Sequence, residues 1–489
     1  MEQNIRCARA KIGGAGLVMA STLLAFAAPV AAQVPKIGDP PEASNMRLVG
    51  YNDLQARSAY QPTVVHQGDR WILYVGHHGG TDDIPKPMNT MTGQAEFNGT
   101  SVVDVTDPKN PKYLAHIPAQ EGLYEGGGAQ MVRVCSGATL PKADKSKTYL
   151  LRTFGKAGHE VWDVTDPGKP QIVTRIGIGS VRDTHKNAWE CDTGIAYLIS
   201  AIPGFRTRTI EIYDLSDPAH PVKIRDFGLV GQEPGGTGPI PTQIHGPIST
   251  GAKGNRVYFG YGTNKAGYMQ MVDREKLLNG PKEPTPENFL YPQVGRLDLM
   301  PTVGAHTTLP LGKIAIPNFV HDKFGKERDM VMIVNEETAN ECGEARNMVW
   351  FADVTIEAHP MIVSNYTVPS GNFCERGGRF GAHSSNESMG PPYYGKLAFI
   401  TWFNAGLRVL DVRNPYQPKE VAYFIPPITA ATDKRCVKAE SGPRCKVAIQ
   451  SNNAETDERG YIYLVDRANT GLHILELTGE PRSIAGLQQ

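Results

Sequence analysis

Short apolar runs recur along this chain, and most of them end at an acidic turn. The runs are rich in β-branched and aromatic residues, are too short for core helices, and are bounded by Gly, Asn and Asp. Such a pattern predicts β-strands. The clearest runs are residues 71–75, 148–151, 195–199, 256–259, 396–400 and 461–465. Helical periodicity is almost missing, so we predict an all-β protein.

The acidic turn itself is repeated. In Val103–Pro111 (VDVTDPKNP) an apolar strand runs into Asp, and a second Asp before Pro caps the turn while Pro fixes φ. Similar turns occupy 162–170, 213–221, 352–360 and 410–418, and degenerate copies occupy 271–273 and 475–477. Seven units at a spacing of roughly 50 to 75 residues fall within the period range of propellers with insertions. We therefore predict a seven-bladed β-propeller of four-stranded blades. One exception is Arg274–Asn279, which could form a helical turn.

The two ends of the repeat region complement each other. Residues 46–52 read like the strand that follows each turn, yet no turn precedes them, whereas the last unit ends at Leu477 without that strand. We expect the N-terminal strand to complete the last blade, because pairing of the two ends removes exposed sheet edges.

An apolar strand running into Asp-Val-Thr/Ser-Asp-Pro-x-x-Pro, repeated around the chain, resembles the LVIVD-repeat family of secreted bacterial propeller proteins. The resemblance covers about residues 46–480. It implies the propeller fold and an exported protein. It implies no reaction, because that family has no single activity and a fold alone does not fix function.

The N-terminus reads as a secretory signal. Arg6, Arg9 and Lys11 precede an apolar run over 14–29, and residues 30–32 (VAA) match a cleavage site. The alternative is an uncleaved anchor. We predict a signal peptide at 1–32, an extension at 33–45, the propeller at 46–480, a tail at 481–489, and a periplasmic or secreted location. No other segment has the length of a membrane helix, so we expect no span in the mature chain.

Six cysteines remain after removal of the signal. An even number in an oxidising compartment favours disulfides. Cys436 and Cys445 would close a small basic loop, and Cys135 and Cys191 occupy similar places in neighbouring units. The remaining pair would be Cys342–Cys374. Charge is balanced at 50 Lys plus Arg against 50 Asp plus Glu, without a basic stripe, so nucleic acid and anionic membrane are poor candidate partners.

Four histidines head four successive repeats just before the first strand of each blade. They are His185, His245, His306 and His383. In the other three blades the comparable places hold Gln61, Gln130 and Asn452. First strands line the channel of a propeller, so we expect four imidazoles to converge at one channel mouth. Imidazole binds Fe, Cu, Zn or Ni, so the pattern predicts one transition metal ion, with Fe, Cu or Zn as the candidates. The alternative is four separate structural histidines, each bonded to a backbone carbonyl.

Three carboxylates and three loop residues are further candidates. Carboxylates can accept the second ring N–H of a ligand and orient it, and those near the histidines in sequence or in blade position are Glu190, Glu387 and Glu455. We expect long loops between second and third strands to roof the channel mouth. In such loops His321 or Asp322 could act as an acid or base, and Arg206 could pair with an anionic substrate.

These residues predict a metal-dependent oxidoreductase, oxygenase-like, acting on a small organic substrate. The arrangement is similar in geometry to the carotenoid-cleaving oxygenases, which hold iron with four histidines in a propeller, and copper-dependent thiol oxidation is a second precedent for a periplasmic propeller. Alternatives are a zinc-type hydrolase or lyase and a non-catalytic surface scaffold.

Overall fold

Each acidic turn joins the third strand of a blade to the fourth. Asp104 Oδ1 accepts the backbone N–H of Thr106 at 2.9 Å, and Asp107 Oδ1 accepts that of Lys109 at 3.0 Å. The first of these contacts is repeated by Asp163, Asp214, Asp353 and Asp411. The side chain takes over a backbone donor that the strand would otherwise use, which ends the strand at a fixed residue.

The computed structural model describes residues 34–316, 323, 325–345 and 347–488. The predicted signal peptide (1–32) and the mature start at Gln33 lie outside these residues.

Two strands precede the first blade: β1 (Glu42–Ser44) and β2 (Met46–Asn52). Blade one comprises β3 (Ala59–Gln67), β4 (Arg70–His78), the hairpin β5 (Met88–Asn89) and β6 (Gln94–Ala95), β7 (Gly99–Asp104), β8 (Lys112–Pro118) and the short β9 (Gly128–Ala129). Blade two comprises β10 (Val132–Ser136), β11 (Thr148–Phe154), β12 (Gly158–Asp163) and β13 (Gln171–Ile176). Blade three comprises β14 (Asn187–Trp189), β15 (Ile195–Ser200), β16 (Thr209–Asp214) and β17 (Val222–Phe227).

The remaining four blades follow the same plan. Blade four comprises β18 (Ile244–Ser249), β19 (Arg256–Tyr261), β20 (Tyr268–Asp273) and β21 (Gln293–Asp298). Blade five comprises β22 (Thr307–Ala315), β23 (Glu327–Val334), β24 (Val349–Asp353) and β25 (Met361–Tyr366). Blade six comprises β26 (Ser384–Ser385), β27 (Leu397–Thr401), β28 (Leu407–Asp411) and β29 (Lys419–Ile425), and is followed by the hairpin β30 (Lys434–Ala439) and β31 (Gly442–Val447). Blade seven comprises β32 (Ser451–Thr456), β33 (Tyr461–Asp466) and β34 (Gly471–Leu477). The helices are α1 (Gly251–Gly254), α2 (Arg274–Asn279), α3 (Pro286–Leu290) and α4 (Gly479–Ala485), with 3-10 turns at Leu54–Ala56 and Tyr124–Gly126.

The ring closes through the N-terminal strands. β2 pairs antiparallel with β34, so that Met46 lies opposite Leu477 and completes blade seven. β1 pairs with β29 and adds a fifth strand to the outer edge of blade six. Successive first strands pack against one another in the order β3, β10, β14, β18, β22, β26, β32 and back to β3. The seven-bladed propeller closed by residues 46–52 is therefore confirmed, as is the helical turn at Arg274–Asn279, and part of the extension is a sheet strand.

Apolar side chains fill the space between neighbouring blades, with Trp402 and Tyr197 among the largest that are fully buried. Disulfides join Cys135 to Cys191, Cys342 to Cys374 and Cys436 to Cys445, so the three predicted pairs are confirmed. They fit an oxidising compartment. Among the described helices we find none with the length and apolar character needed to cross a membrane.

Candidate metal centre

The four histidines of blades three to six form one layer at the head of the channel. His306 and His383 directly precede the first strands β22 and β26, and His185 lies two residues before β14. His245 is the second residue of β18. All four are buried. Ring centroids lie 4.4 Å apart for His185 and His245, 3.8 Å for His245 and His306, and 4.5 Å for His306 and His383. The ring contacts therefore run through four consecutive blades.

The Nε2 atoms of two neighbouring rings face each other in this layer. The Nε2 atoms of His185 and His245 are 2.7 Å apart. Two ligands held about 2.1 Å from a tetrahedral ion would be about 3.3 Å apart, so a small outward shift of these rings would admit an ion. His306 Nε2 is buried without a hydrogen-bond partner among the described residues. Its ligand atom, one of His245 and a carboxylate oxygen of Glu336 all lie within 4.8 Å of one another, which makes these three residues a candidate metal site.

Each ring uses its other nitrogen for an outer contact. His245 Nδ1 lies 3.0 Å from the carbonyl oxygen of His306, and His383 Nδ1 lies 2.5 Å from that of Asn452. A carbonyl can only accept, so both rings carry the proton on Nδ1 and leave Nε2 as a lone pair. His306 Nδ1 lies 2.9 Å from Thr307 Oγ1. These contacts fix the ring orientations as outer partners of metal ligands do.

His185 completes the set through Gln130. Its Nδ1 lies 2.6 Å from Gln130 Nε2, while Gln130 Oε1 is buried without a described partner. Rotation of that amide would let Oε1 accept the Nδ1 proton and free the Nε2 lone pair of His185. Burial, followed by the charge of His245, holds the pKa of His185 well below its usual range, and burial does the same for the other three rings. Neutral imidazole is the form that binds metals, so burial favours the protonation state that a metal ligand needs.

Glu336 lies above the rings and was given no role in the sequence analysis. It follows β23, in the loop between the second and third strands of blade five, and its Oε1 is 4.0 Å from His383 Nε2. Arg379 Nη1 donates to the same oxygen at 3.0 Å. Burial raises the pKa of Glu336. The signal that could have identified it was its place in one of the roofing loops of a blade whose first strand carries a histidine.

A cavity of about 280 Å³ separates the rings from the loop residues above them. Tyr60, on the first strand of blade one, packs edge-on against His185 and His383, with centroids 6.0 and 5.8 Å away. Its hydroxyl is buried and has no described hydrogen-bond partner. The cavity thus has an imidazole floor, a phenol at its side and a carboxylate in its roof.

The carboxylates predicted to orient the rings have other partners, which corrects that expectation. Glu190 bonds Arg274 at 2.6 Å and accepts from Ser249 and Tyr197. Glu387 pairs with Lys186 Nζ at 2.9 Å, and Glu455 accepts the backbone N–H of Glu387 at 2.8 Å. The outer partners of the rings are instead the Gln130 amide, the carbonyl oxygens of His306 and Asn452, and the Thr307 hydroxyl.

The predicted loop residues also need correction. Arg206 donates to the carbonyl oxygens of Gly231, Thr237 and Gly238, so its guanidinium holds a loop and does not line the cavity. Arg208, two residues further on, does line it. His321 and Asp322 lie outside the described residues. In chain order they fall between β22 and β23, the first and second strands of blade five, and not between the second and third as predicted.

Glu387 and Glu455 belong to a second cavity, of about 270 Å³, lined also by Arg133, Trp189 and Met389. Arg133 and Lys186 both pair with Glu387. Glu455 shares this space and has no ion pair with a described cation. Burial, followed by the charge of Glu387, raises its pKa to about 7. Glu455 therefore binds a proton on folding near neutral pH.

Replacement of this carboxyl gives a pH-dependent prediction. A pKa raised from 4.5 to about 7 contributes stability that is complete below pH 4.5 and is lost as the pH rises through 7. The free energy of unfolding of the Glu455→Gln variant should therefore rise relative to that of the wild type between pH 4.5 and pH 7. At pH 8 it should exceed the wild-type value by up to about 3 kcal/mol. Urea midpoints at pH 5 and pH 8 measure the difference. The exposed Glu458→Gln change is the matched control. An advantage of Glu455→Gln that does not grow with pH would contradict the prediction.

Comparisons with known proteins identify no family and give only distant structural likenesses. A scan against protein-family models finds no matching family, and a search of curated proteins finds no match. A hypothetical selenium-binding protein from Sulfolobus tokodaii is similar in structure, with a TM-score of 0.48 and 12% identity over 91% of this chain and 92% of that one. The propeller domain of Cps50 (Swd1) from Myceliophteria thermophila has a TM-score of 0.46 and 9% identity over 90% and 100%. A periplasmic gluconolactonase of Pseudomonas aeruginosa has a TM-score of 0.43 and 10% identity over 79% and 99%. Likeness at this level carries no argument about activity.

Proposed function

We propose that this protein is an exported metalloprotein that binds one transition metal ion through His185, His245, His306 and His383 and acts as an oxidoreductase on a small organic substrate. The observation that carries the proposal is that the two nitrogens of these rings have different surroundings. The four Nδ1 atoms are engaged by outer partners. The Nε2 atoms of His185 and His245 face each other at 2.7 Å, and the buried Nε2 of His306, the next ring, has no partner among the described residues. A shared ion would satisfy these nitrogens, whereas separate structural histidines would leave them unexplained. Export is supported by the three disulfides.

The ligand set supports iron or copper, and zinc remains the third candidate. Imidazole suits all three ions. Four neutral donors bring no negative charge, so they favour the lower oxidation state of a redox-active ion and make the higher state a good electron acceptor. When bound, such an ion supplies one-electron and oxygen chemistry. The chain's own residues then have three tasks: to hold the ion, to exclude bulk water from the cavity, and to position a substrate there.

The cavity supports catalysis over a purely structural ion. A structural site is closed by its protein ligands, whereas a catalytic one keeps room beside the ion. Here the floor of a cavity of about 280 Å³ is formed in part by His185, His245 and His383. Tyr60, whose hydroxyl has no hydrogen-bond partner in the described part of the chain, lines the same cavity. A substrate on this floor would lie between the rings and Glu336.

Glu336 is the observation that favours the hydrolase or lyase alternative. Its Oε1, 4.0 Å from His383 Nε2, is placed to accept a proton from a water molecule bound over the rings. With zinc in the site, that pairing of ion and carboxylate would activate water.

One experiment separates these functions. The purified exported protein is analysed for metals, and its absorption and electron paramagnetic resonance spectra are recorded through a cycle of chemical reduction and reoxidation by air. We expect about one equivalent of copper or iron that cycles between two states. One equivalent of zinc without a redox response would favour the hydrolase or lyase. A protein that takes up neither copper, iron nor zinc when each is supplied would overturn the metalloprotein proposal.

A further inference from the structure

We infer that the cavity above the histidines binds a small organic anion, a carboxylate, through the guanidinium groups of Arg208 and Arg379. The inference deepens the proposed function and rests on it, because it seats the anion directly over the metal position. Three independent features of the cavity carry it: its charge, its free donors and its size.

The charge of the cavity is cationic once the ion is present. Lys156, Arg208 and Arg379 line it together with three carboxylates, those of Glu125, Asp183 and Glu336. Arg467 stands behind this wall, paired with Glu125 and 3.8 Å from Glu336. Four cations against three carboxylates leave one positive charge, and a divalent ion on the rings raises it to three. A neutral substrate would leave this excess uncompensated in a partly desolvated space, whereas an anion would offset it.

The guanidinium groups of Arg208 and Arg379 have N–H donors that make no hydrogen bond with the described residues. Arg208 donates through Nε to the carbonyl oxygen of Ile244 at 3.0 Å, and its Nη1 is 3.6 Å from Asp183, beyond hydrogen-bond distance. Arg379 uses Nη1 for Glu336 and for the carbonyl oxygen of Glu337. In the described part of the chain, no hydrogen bond is found for either Nη atom of Arg208 or for Nη2 of Arg379. A planar fork with free N–H groups is the geometry that binds a carboxylate with two parallel hydrogen bonds.

These arginines are held in place before any ligand arrives. Arg208 is fixed at its Nε by the first residue of β18, and the Arg379 guanidinium lies 5.2 Å from the ring centre of Phe403. Each belongs to a loop at the histidine end of the channel. A preorganised donor binds an anion without first losing its own conformational freedom, so little of the interaction energy is spent on ordering.

The size of the cavity limits the ligand. A volume of about 280 Å³ lies at the lower end of the range for small-molecule sites. Tyr60, whose hydroxyl has no hydrogen-bond partner among the described residues, also lines the cavity. A short-chain carboxylate, with one end on the guanidinium groups and the other over the rings beside that hydroxyl, matches these dimensions. The role predicted for Arg206 is thus assigned to Arg208, two residues further along the chain, and to Arg379, which comes from a different loop.

The test is binding of propionate by isothermal titration calorimetry to the full-length mature protein, both metal-loaded and after removal of metal by a chelator. Inorganic phosphate is titrated in parallel. We expect propionate to bind the wild type, and Arg208→Met and Arg379→Met each to weaken it by about ten- to a hundredfold, the loss expected for a hydrogen bond to a charged group. Arg206→Met is the matched control and should bind propionate like the wild type. Arg379→Lys, which keeps the charge and loses the fork, should fall between wild type and Arg379→Met.

Each outcome is decisive. Equal propionate affinity of the wild type, Arg208→Met and Arg379→Met, or no binding to the metal-loaded wild type, overturns the inference while leaving the metal site intact. Phosphate that binds more tightly than propionate with the same arginine dependence overturns the assignment to a carboxylate. If the protein takes up no metal, the proposed function fails, and arginine-dependent binding of propionate to the metal-free protein still supports the anion site. Urea midpoints of the variants within error of the wild type establish that a loss of binding is local.

Discussion

The His306→Ala variant is expected to lose its metal. His306 is fully buried, its Nε2 has no described partner, and its ring packs against those of His245 and His383, so its removal opens the centre of the ligand set. Loss of an outer partner alone costs about 10- to 100-fold in metal affinity, and loss of a ligand should exceed that. Competition with a chelator of known affinity, read by metal analysis of the recovered protein, measures the change. We expect a weakening of more than about 100-fold.

A buried histidine elsewhere provides the control. His473 lies on β34, buried beside Tyr51 and Phe424 and away from the channel rings. His473→Ala removes the same number of atoms from a buried position and should retain the full equivalent of metal. His383→Ala should behave like His306→Ala. If both ring variants keep one equivalent at wild-type affinity, the metal is not held by this layer.

Arg152→Met is expected to destabilise the fold by about 3–5 kcal/mol, the usual result of removing one partner of a buried ion pair. Arg152 and Glu160 are both almost inaccessible to solvent, and two guanidinium nitrogens of Arg152 lie 3.1 and 2.8 Å from Glu160 Oε2. Arg152 also donates to the carbonyl oxygens of Ile117 and Pro118 at 2.8 Å, across the boundary from blade two to blade one. Without it, a buried carboxylate loses its nearest cation, and the carbonyl oxygens of Ile117 and Pro118 lose this donor.

Urea denaturation followed by fluorescence measures the loss. Arg175 pairs with the same carboxylate at 3.2 Å but is largely exposed, so Arg175→Met should cost less than about 1 kcal/mol. The double change Arg152→Met with Glu160→Met should recover much of the stability, because two apolar side chains can replace a buried pair. An Arg152→Met midpoint equal to that of Arg175→Met would show that the pair does not stabilise the boundary between the blades.

The fold was predictable because its signal is local. About ten consecutive residues determine each strand that ends at an Asp-capped turn. The cap is the contact that the structure shows between Asp104 and Thr106. The layer of histidines was predictable for the same reason, since equal places in successive repeats become neighbours around an axis. β1 was not predictable, because Glu42–Ser44 pairs with β29 through backbone groups and has no apolar alternation.

The surroundings of the rings were not predictable. Short separation in sequence suggested that Glu387 orients His383, but Glu387 pairs with Lys186 and His383 Nδ1 contacts the carbonyl oxygen of Asn452. Glu336 and Arg379 meet from different loops, and Tyr60 reaches the rings from a blade more than 100 residues away in sequence. Contacts of this kind depend on loop paths, for which a single sequence has no periodic signal.

Closure of the ring by β1 and β2 sets the order in which this protein can mature. Both strands precede the seven blades along the chain, yet their partners β29 and β34 belong to the sixth and seventh blades. The N-terminal strands must therefore wait, unpaired, until almost the whole chain is available. The histidine layer is also incomplete until then, because His383 contacts Asn452 in the last blade and Tyr60 packs against the rings from the first. Binding of the proposed ion would then occur only after the ring has closed, because an incomplete chain would lack the assembled site.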